Sequence, residues 1–318
     1  MLRFILRRLA LSLVTLFIVV MIVFAITNVF PGDPAQAIAG QLASEAQVEE
    51  VRERIGSDDP LREQFARLMK QTVTFFSGVD SFKTQQPVRD AVFPALGRSA
   101  LLVGLGLAMT IPLSILGGLF AARRRDSMAD RTIVTVGLAS SAIPDFVTAV
   151  ILQYLIGVKL GWFPAVASSP GEGEIFTGFG DLVLPALTIV VVYFGYIARV
   201  TRAGSIESLE SDYVRTAYMK GLNESKVTRR HVLRNALQPT VAVIGTQMGY
   251  LFGGLVGIEF IFGFAGLGGL IVGAANDRDL PVLQAGVILV AIIFMIATLL
   301  ADLLIAWMNP RARLTEDN

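Results

Sequence analysis

The chain has 318 residues, 53% hydrophobic and 17% charged, with a formal net charge of +1 at pH 7 and a mean hydropathy of +0.63. A soluble domain carries about 25% charged residues, so the class is a polytopic membrane protein, and near-neutrality gives no bulk attraction to nucleic acid. Cysteine is absent, which excludes disulfides, thiolate nucleophiles and cysteine-based metal sites and leaves the redox compartment unread.

The first apolar run, 9–29, has 21 residues. A signal-peptide core has about 7–15 and a bilayer span about 20. An uncleaved first span is therefore expected, although Ala37-Ile38-Ala39 has the small-residue form of a cleavage site. A long polar loop, 30–98, follows. In it Ser44 with Gln47 reads as a capping box, Val48, Val51 and Ile55 share a face, and Gly56 suits a helix end. Asp59-Pro60 opens a second amphipathic helix with Leu61, Phe65 and Leu68 on one side. Two readings stand for this loop: a solvated connector, or a docking surface outside the membrane.

Five further apolar blocks, 99–122, 132–158, 182–200, 240–262 and 282–307, are long enough to cross a bilayer as helices. The expected fold is all-α with six transmembrane helices in a single domain over 1–318. Pro112 and Pro144 should kink the second and third spans. Gly245, Gly249, Gly253 and Gly257 recur every four residues on the fifth, three overlapping GxxxG steps that predict helix packing and a central span.

Six spans put both termini on one side, which with its loops holds 17 of the 27 Lys and Arg residues. Eight of the remaining ten lie in the loop 30–98, and loops longer than about 60 residues cross largely regardless of charge. The two short loops on the other side hold only Lys159 and Arg278. Both termini are thus expected in the cytoplasm, together with the polar stretch 201–239.

Three acids fall in or near spans: Asp145, Glu259 and Asp302. Burying a carboxylate in a bilayer costs at least ~2.5 kcal/mol, so each is a candidate for passage or gating. For each, the alternative is a cap, an anchor or a helix–helix hydrogen bond. No GxxxxGK[ST] phosphate loop and no HExxH occur, and one histidine cannot build a His-based metal site. GFAGLGGL (263–270) does not complete GxGxxG and follows a span, which fits a turn or re-entrant segment. A serine-protease dyad of Ser99 and His231 fails on topology, because about 30 Å of bilayer separates groups that must come within ~3 Å.

The segment DYVRTAYMKGLNESKVTRRHVLRN, 212–235, reads as two short helices around a glycine. Asp212 is a good N-cap, 213–220 can make two turns, and Gly221 suits the left-handed position after the helix. Asn223 or Ser225 can cap the next helix, which runs towards Pro239 and the fifth span. Taken alone, the segment is also compatible with a basic, positive-inside loop that has no partner.

This segment resembles the EAA loop of the membrane subunits of ABC-type importers, in the form carried by the first permease of dipeptide/oligopeptide systems. The matching residues are Asp212-Tyr213-Val214-Arg215-Thr216-Ala217, Lys220-Gly221-Leu222, His231-Val232-Leu233-Arg234-Asn235-Ala236 and Pro239. Gly221 stands ten residues before His231, as the general pattern EAA-x3-G-x9-I-x-L-P has it. Arg215, Thr216 and His231 replace that pattern's Glu, first Ala and Ile, in agreement with the peptide branch. The likeness extends over nearly the whole chain. It includes Leu6-Arg7-Arg8-Leu9, Pro31-Gly32-Asp33-Pro34, Lys159-Leu160-Gly161-Trp162-Phe163-Pro164 and Glu259 with Gly266-Leu267-Gly268. Further matches are Asp279-Leu280-Pro281-Val282 with Gln284 and Gly286, and Pro310-Arg311.

The resemblance implies an ABC type I importer permease fold in a bacterial inner membrane, working with a homologous second permease, two cytoplasmic ATPase subunits and an extracytoplasmic substrate-binding protein. It implies that this chain binds no cofactor and is not an enzyme, ATP and Mg being held by the ATPase subunits. Relatives of this type handle dipeptides, oligopeptides, nickel complexes, glutathione and some sugars. Carried over, Asp212, Tyr213, Val214, Arg215, Thr216, Ala217, Lys220, Gly221 and Leu222 would contact the ATPase, with His231, Leu233, Arg234 and Asn235 as a brace. Arg215 and Lys220 would meet acids on the ATPase, and Tyr213 and Ala217 would form an apolar face one turn apart. The competing class is an ion-coupled transporter using Asp145, Glu259 or Asp302 as a proton relay. No internal self-similarity of the kind inverted repeats produce is visible in the chain.

Overall fold

The computed structural model describes residues 2–29, 34–40, 43–167 and 178–308. In chain order, α1 (Leu2–Phe24), extended by a π-helical stretch Ala25–Val29, precedes α2 (Pro34–Ala39), α3 (Glu45–Ile55) and α4 (Leu61–Val73). Then come α5 (Val88–Arg123), α6 (Met128–Ala142), α7 (Asp145–Leu152) with its π-helical continuation Gln153–Lys159, and α8 (Phe179–Leu209). Next, α9 (Asp212–Met219) and α10 (Glu224–Val227) lead through a π-helical turn, Thr228–Val232, into α11 (Leu233–Phe262). Finally, α12 (Leu267–Asn276) and α13 (Leu280–Met308) complete the described elements. Non-helical pairing among them is limited to an antiparallel bridge between Asp80 and Pro87.

The helices α1, α5, α8 and α13 each contain a stretch long and apolar enough to cross a membrane. Two bent pairs, Met128–Ala142 with Asp145–Lys159 and Glu224–Met248 with Tyr250–Phe262, bring the number to six when each counts as one crossing. The two prolines expected to kink their spans behave differently. At Pro144 the span breaks by 105°, with Ile143 in extended conformation, the conformation a following proline imposes. At Pro112 the helix α5 continues through to Arg123.

Among the four unbroken spans the most enclosed is α8, the fourth in chain order. In α8, 72% of the apolar window is buried, against 28% in α5 and 11% in α13. Close approach makes this possible: Gly137 of α6 and Gly195 of α8 lie so near that a Cβ on either would overlap the other's backbone. Around α8, residues of α5, α7 and α11 form the main core, with Leu102, Leu184, Ile189, Ile197 and Ile258 at 0–1% exposure.

A second core joins α1, α4, α12 and α13 through Val20, Leu68, Phe76, Leu267 and Ile288. Here Phe65 of α4 meets Phe17 and Phe24 of α1 edge-on, with ring centroids 5.9 and 5.3 Å apart. The loop helices start and stop where their caps direct. Ser44 and Gln47 form the reciprocal capping box, and Gly56 ends α3 at φ +64°. On α4, Phe65 and Leu68 turn inward, whereas Leu61, expected on the same side, is exposed.

Candidate functional site

The bundle has two ends, one carrying α9 and the other carrying α12, and polar chemistry collects at both. At the α9 end, Ser211 has the extended backbone of an N-cap, but its hydroxyl donates to the Ser208 carbonyl at 2.5 Å. Asp212, expected as the cap, is instead the first helical residue, where its negative charge suits the positive end of the helix dipole. After α9, Gly221 takes φ +73° and donates its N–H to the Tyr218 carbonyl at 2.9 Å. Asn223 then caps α10 by accepting from the Lys226 N–H at 2.9 Å.

A small apolar base supports this loop. Val214 and Ala217 pack with Val227, Val232 and Ala236, and Leu209 and Leu222 lie against them. Ala217 therefore does not share an outward apolar face with Tyr213, because burying both at a helical spacing of three fixes Val214 and Ala217 inward. Outward point Asp212, Tyr213, Arg215, Thr216, Tyr218, Met219 and Lys220, with Met219 at 74% exposure. α10 passes through its π turn into α11 without interruption.

The tie between this loop and the second span is a residue that spacing did not single out. Arg123, the last residue of α5, donates from Nη2 to Thr228 Oγ1 at 2.5 Å and lies 3.5 Å from Glu224. Beside it Arg125 pairs with Glu210 at 2.6 Å. Arg202 of α8 makes two bonds, at 2.5 and 2.7 Å, to the buried Asp130, which also accepts the Asp126 N–H. Among the residues assigned as a brace, Asn235 donates from Nδ2 to the His231 carbonyl at 3.1 Å. His231 and Leu233 are half-buried, and Arg234 and Asn235 are exposed.

The three membrane acids occupy separate places. Glu259 is fully buried. Its carboxylate accepts from Ser99 Oγ at 2.5 Å and from the N–H groups of Gly268 and Gly269 at 2.7 and 3.2 Å. Ser99 Oγ in turn accepts the Leu267 N–H at 2.7 Å. Together the two side chains satisfy the free N–H groups that open α12. Ser99 is thus a structural hydroxyl, with most of the length of α11 between it and His231. Asp302 pairs with Arg8 of α1 at 3.3 Å. Asp145 stands at the start of α7, its carboxylate against Gly254 of α11.

The glycine stripe divides in the same way. Gly245 packs on Ala301 of α13 and Gly257 on Phe146 of α7, whereas a Cβ on Gly253 would meet nothing within 4 Å. Gly253 is therefore not a packing contact within this chain. The surroundings of Gly249 fall outside the described residues. At the α12 end, Asp279 accepts from Ser81 Oγ at 2.5 Å and from the Phe82 N–H at 3.1 Å, and Lys83 pairs with Asp277 at 2.6 Å. These bonds seat the loop that follows α4 on the turn between α12 and α13. Pro31-Gly32-Asp33 and Pro310-Arg311 lie outside the described residues. No three His, Asp or Glu side chains among the described residues converge as a metal site.

Compared with known proteins, residues 114–314 match the family described as binding-protein-dependent transport system inner membrane component. Residues 1–101 match the N-terminal family of the same membrane components. A Brucella abortus protein, by name a peptide transport system permease, is 37% identical over 309 residues, covering 97% of this chain and 98% of its own. The Escherichia coli glutathione transport system permease protein GsiC is 34% identical over 313 residues, covering 98% and 99%. A solved amino acid ABC transporter chain aligns with a TM-score of 0.46 at 16% identity, over 69% of this chain and 92% of its own.

Proposed function

The chain belongs to the family of inner membrane components of binding-protein-dependent transport systems, and we propose that it is the subunit through which a separate ATPase drives short peptides into the cell. As a member it is a multi-pass permease component of an ABC importer. The substrate class follows from its relatives, one named for peptides and one for glutathione, itself a tripeptide. In this reading both termini, the loop 201–239 and α9 face the cytoplasm, and the loop 30–98 faces the binding protein outside. Two ATPase subunits hold ATP and Mg, a homologous permease completes the path, and this chain contributes no hydrolytic site.

One observation carries the coupling role. The charged and aromatic face of α9 stands exposed on a buried apolar base that it shares with α10 and the start of α11, the fifth span. A short helix held this way moves as a rigid body, which suits transmission of ATPase closure to the spans. The test is purification of the tagged chain with its co-expressed transporter subunits, followed by uptake of labelled dipeptide into proteoliposomes. Stoichiometric ATPase subunits and uptake that stops without ATP are expected. Uptake that survives ATP depletion and collapses with the proton gradient would overturn the reading.

A further inference from the structure

Of the three membrane acids, Glu259 and Asp302 are satisfied by partners, and Asp145 is not. Asp145 opens α7 immediately after the break at Ile143 and Pro144, where the two halves of the third span meet at 105°. Its carboxylate occupies the place that a Cβ on Gly254 would fill, and the buried Tyr193 of α8 lies within its electrostatic reach. Beyond its own backbone N–H, it makes no hydrogen bond or ion pair with the described residues. Gly254 is eight residues short of the end of α11, about 12 Å along the helix, so the group, half-buried in this chain, sits well inside the length of the span.

One turn further on, Thr148 is 5% exposed and its hydroxyl has no hydrogen-bond partner among the described residues. That is unusual for this chain. Thr110, Thr188, Thr201 and Thr246 donate back to the carbonyl four residues before, at 2.7 to 3.1 Å. The other buried helical hydroxyls without a partner among the described residues, Ser205 and Thr298, have no carboxylate three residues before them. Residues three apart share a helix face, so α7 presents an unpaired carboxylate and an unpaired hydroxyl side by side. An unpaired carboxylate at that depth does not face hydrocarbon. Such groups face a bundle interior or a water-filled cavity, and broken helices within a membrane are tolerated in the same two settings. The two bent spans, third and fifth, meet at Asp145 and Gly254.

We propose that Asp145 and Thr148 form a binding station for the positively charged amino terminus of the transported peptide. This rests on the peptide reading above. An ammonium group carries three donors and no acceptor, a carboxylate accepts at both oxygens, and a threonine hydroxyl accepts one more bond. The amino terminus is also the cation that all unmodified short peptides share, so a station for it serves a carrier of varied sequences. Opening the break on one side and closing it on the other would pass the ammonium along the path.

The experiment uses the whole transporter in proteoliposomes, with labelled alanyl-alanine and its N-acetylated form as probes. For Asp145→Asn, the alanyl-alanine concentration giving half-maximal uptake rises about tenfold or more. Parental preference for the free amine over the acetylated peptide is largely lost, and Asp145→Glu restores part of it. Unchanged preference in Asp145→Asn would overturn the proposal. So would failure of both Asp145→Asn and Asp145→Ser to assemble, which would place a cation of the neighbouring permease on the carboxylate. Parental vesicles that take up neither peptide would overturn the peptide reading itself, a different result from either of these.

Because the chain has no cysteine, Thr148→Cys also gives this subunit a unique thiol, beside an intact Asp145. Labelling of this subunit by a cationic, water-borne methanethiosulfonate, slowed by alanyl-alanine and not by its acetylated form, is expected. A thiol that water-borne reagent never reaches would overturn the proposal.

Discussion

Arg123 and Thr228, 105 residues apart in sequence, are joined by a guanidinium–hydroxyl bond of 2.5 Å. The bond ties the end of the second span to the turn between the α9 loop and the fifth. A hydrogen bond from a charged donor contributes about 1.5–3 kcal/mol, whereas the half-exposed pairing of Arg123 with Glu224 adds at most about 1 kcal/mol. Arg123→Ala or Thr228→Val should therefore reduce the uptake driven per ATP hydrolysed by several-fold, and Glu224→Gln should have little effect. Parallel measurement of uptake and ATPase rate in the same vesicles checks this.

At the α12 end, Glu259 and Ser99 act as one unit. Glu259→Ala leaves the N–H groups of Gly268 and Gly269 without their acceptor, at about 1–3 kcal/mol for each buried group. Ser99→Ala removes one bond to the carboxylate and the acceptor for Leu267. Thermal unfolding of the purified complex should show both changes as destabilising, Glu259→Ala more so. The double variant should lose less than the sum, because the two side chains share one network.

Loss of Asp279 should loosen the segment that follows α4, which the proposed orientation places outside, without disturbing the spans. Asp279 is 5% exposed and receives Ser81 and Phe82, so Asp279→Ala unseats the segment that follows α4. Limited proteolysis of right-side-out vesicles should then cut within 74–87 several times faster than in the parent. The Arg8 and Asp302 pair, on other elements, should be unaffected.

Local signals in the sequence located the helices well. Apolar length gave six crossings, and Ser44 with Gln47, Gly56, Gly221 and Asn223 marked helix ends, because caps depend on residues within one turn of each other. What depended on distant neighbours was not legible. Glu259 and Ser99 are 160 residues apart, and nothing in either segment names the other. Pro112 and Pro144 obey one local rule, yet only the second breaks its span. The first lies within a helix packed on α8, where Ser114 Oγ donates to the Phe194 carbonyl at 3.3 Å.

The glycine stripe divides for a geometric reason that yields a prediction. A helix turns about 100° per residue, so steps of four wind around it by about 40° each. Gly245 and Gly257 therefore look about 120° apart, one to α13 and the other to α7, and Gly253 looks into open space. Gly253→Ala should leave the unfolding temperature and uptake of the complex unchanged. Gly195→Ala should prevent accumulation of folded protein, since its methyl would overlap the backbone of Gly137. Size-exclusion profiles of the two variants distinguish them.

Neighbouring residues of α9 should fail in opposite ways. Val214 is fully buried in the base of the loop and Arg215 is exposed on its face. Val214→Asp puts an unpaired charge among Ala217, Val227, Val232 and Ala236. A buried charge without a partner is strongly destabilising, so the loop should unfold locally and the ATPase subunits should no longer co-purify. Arg215→Glu removes nothing from the base, because the arginine packs no part of that cluster. The loop should stay folded, and any loss must come from what the face touches. The expected result is a complex that still inserts and hydrolyses ATP, with uptake reduced about tenfold or more by like charges across a contact. Restoration of uptake by a compensating Lys or Arg on the ATPase subunit would locate the partner acid. Parental uptake by Arg215→Glu would show that this face of α9 does not carry the coupling.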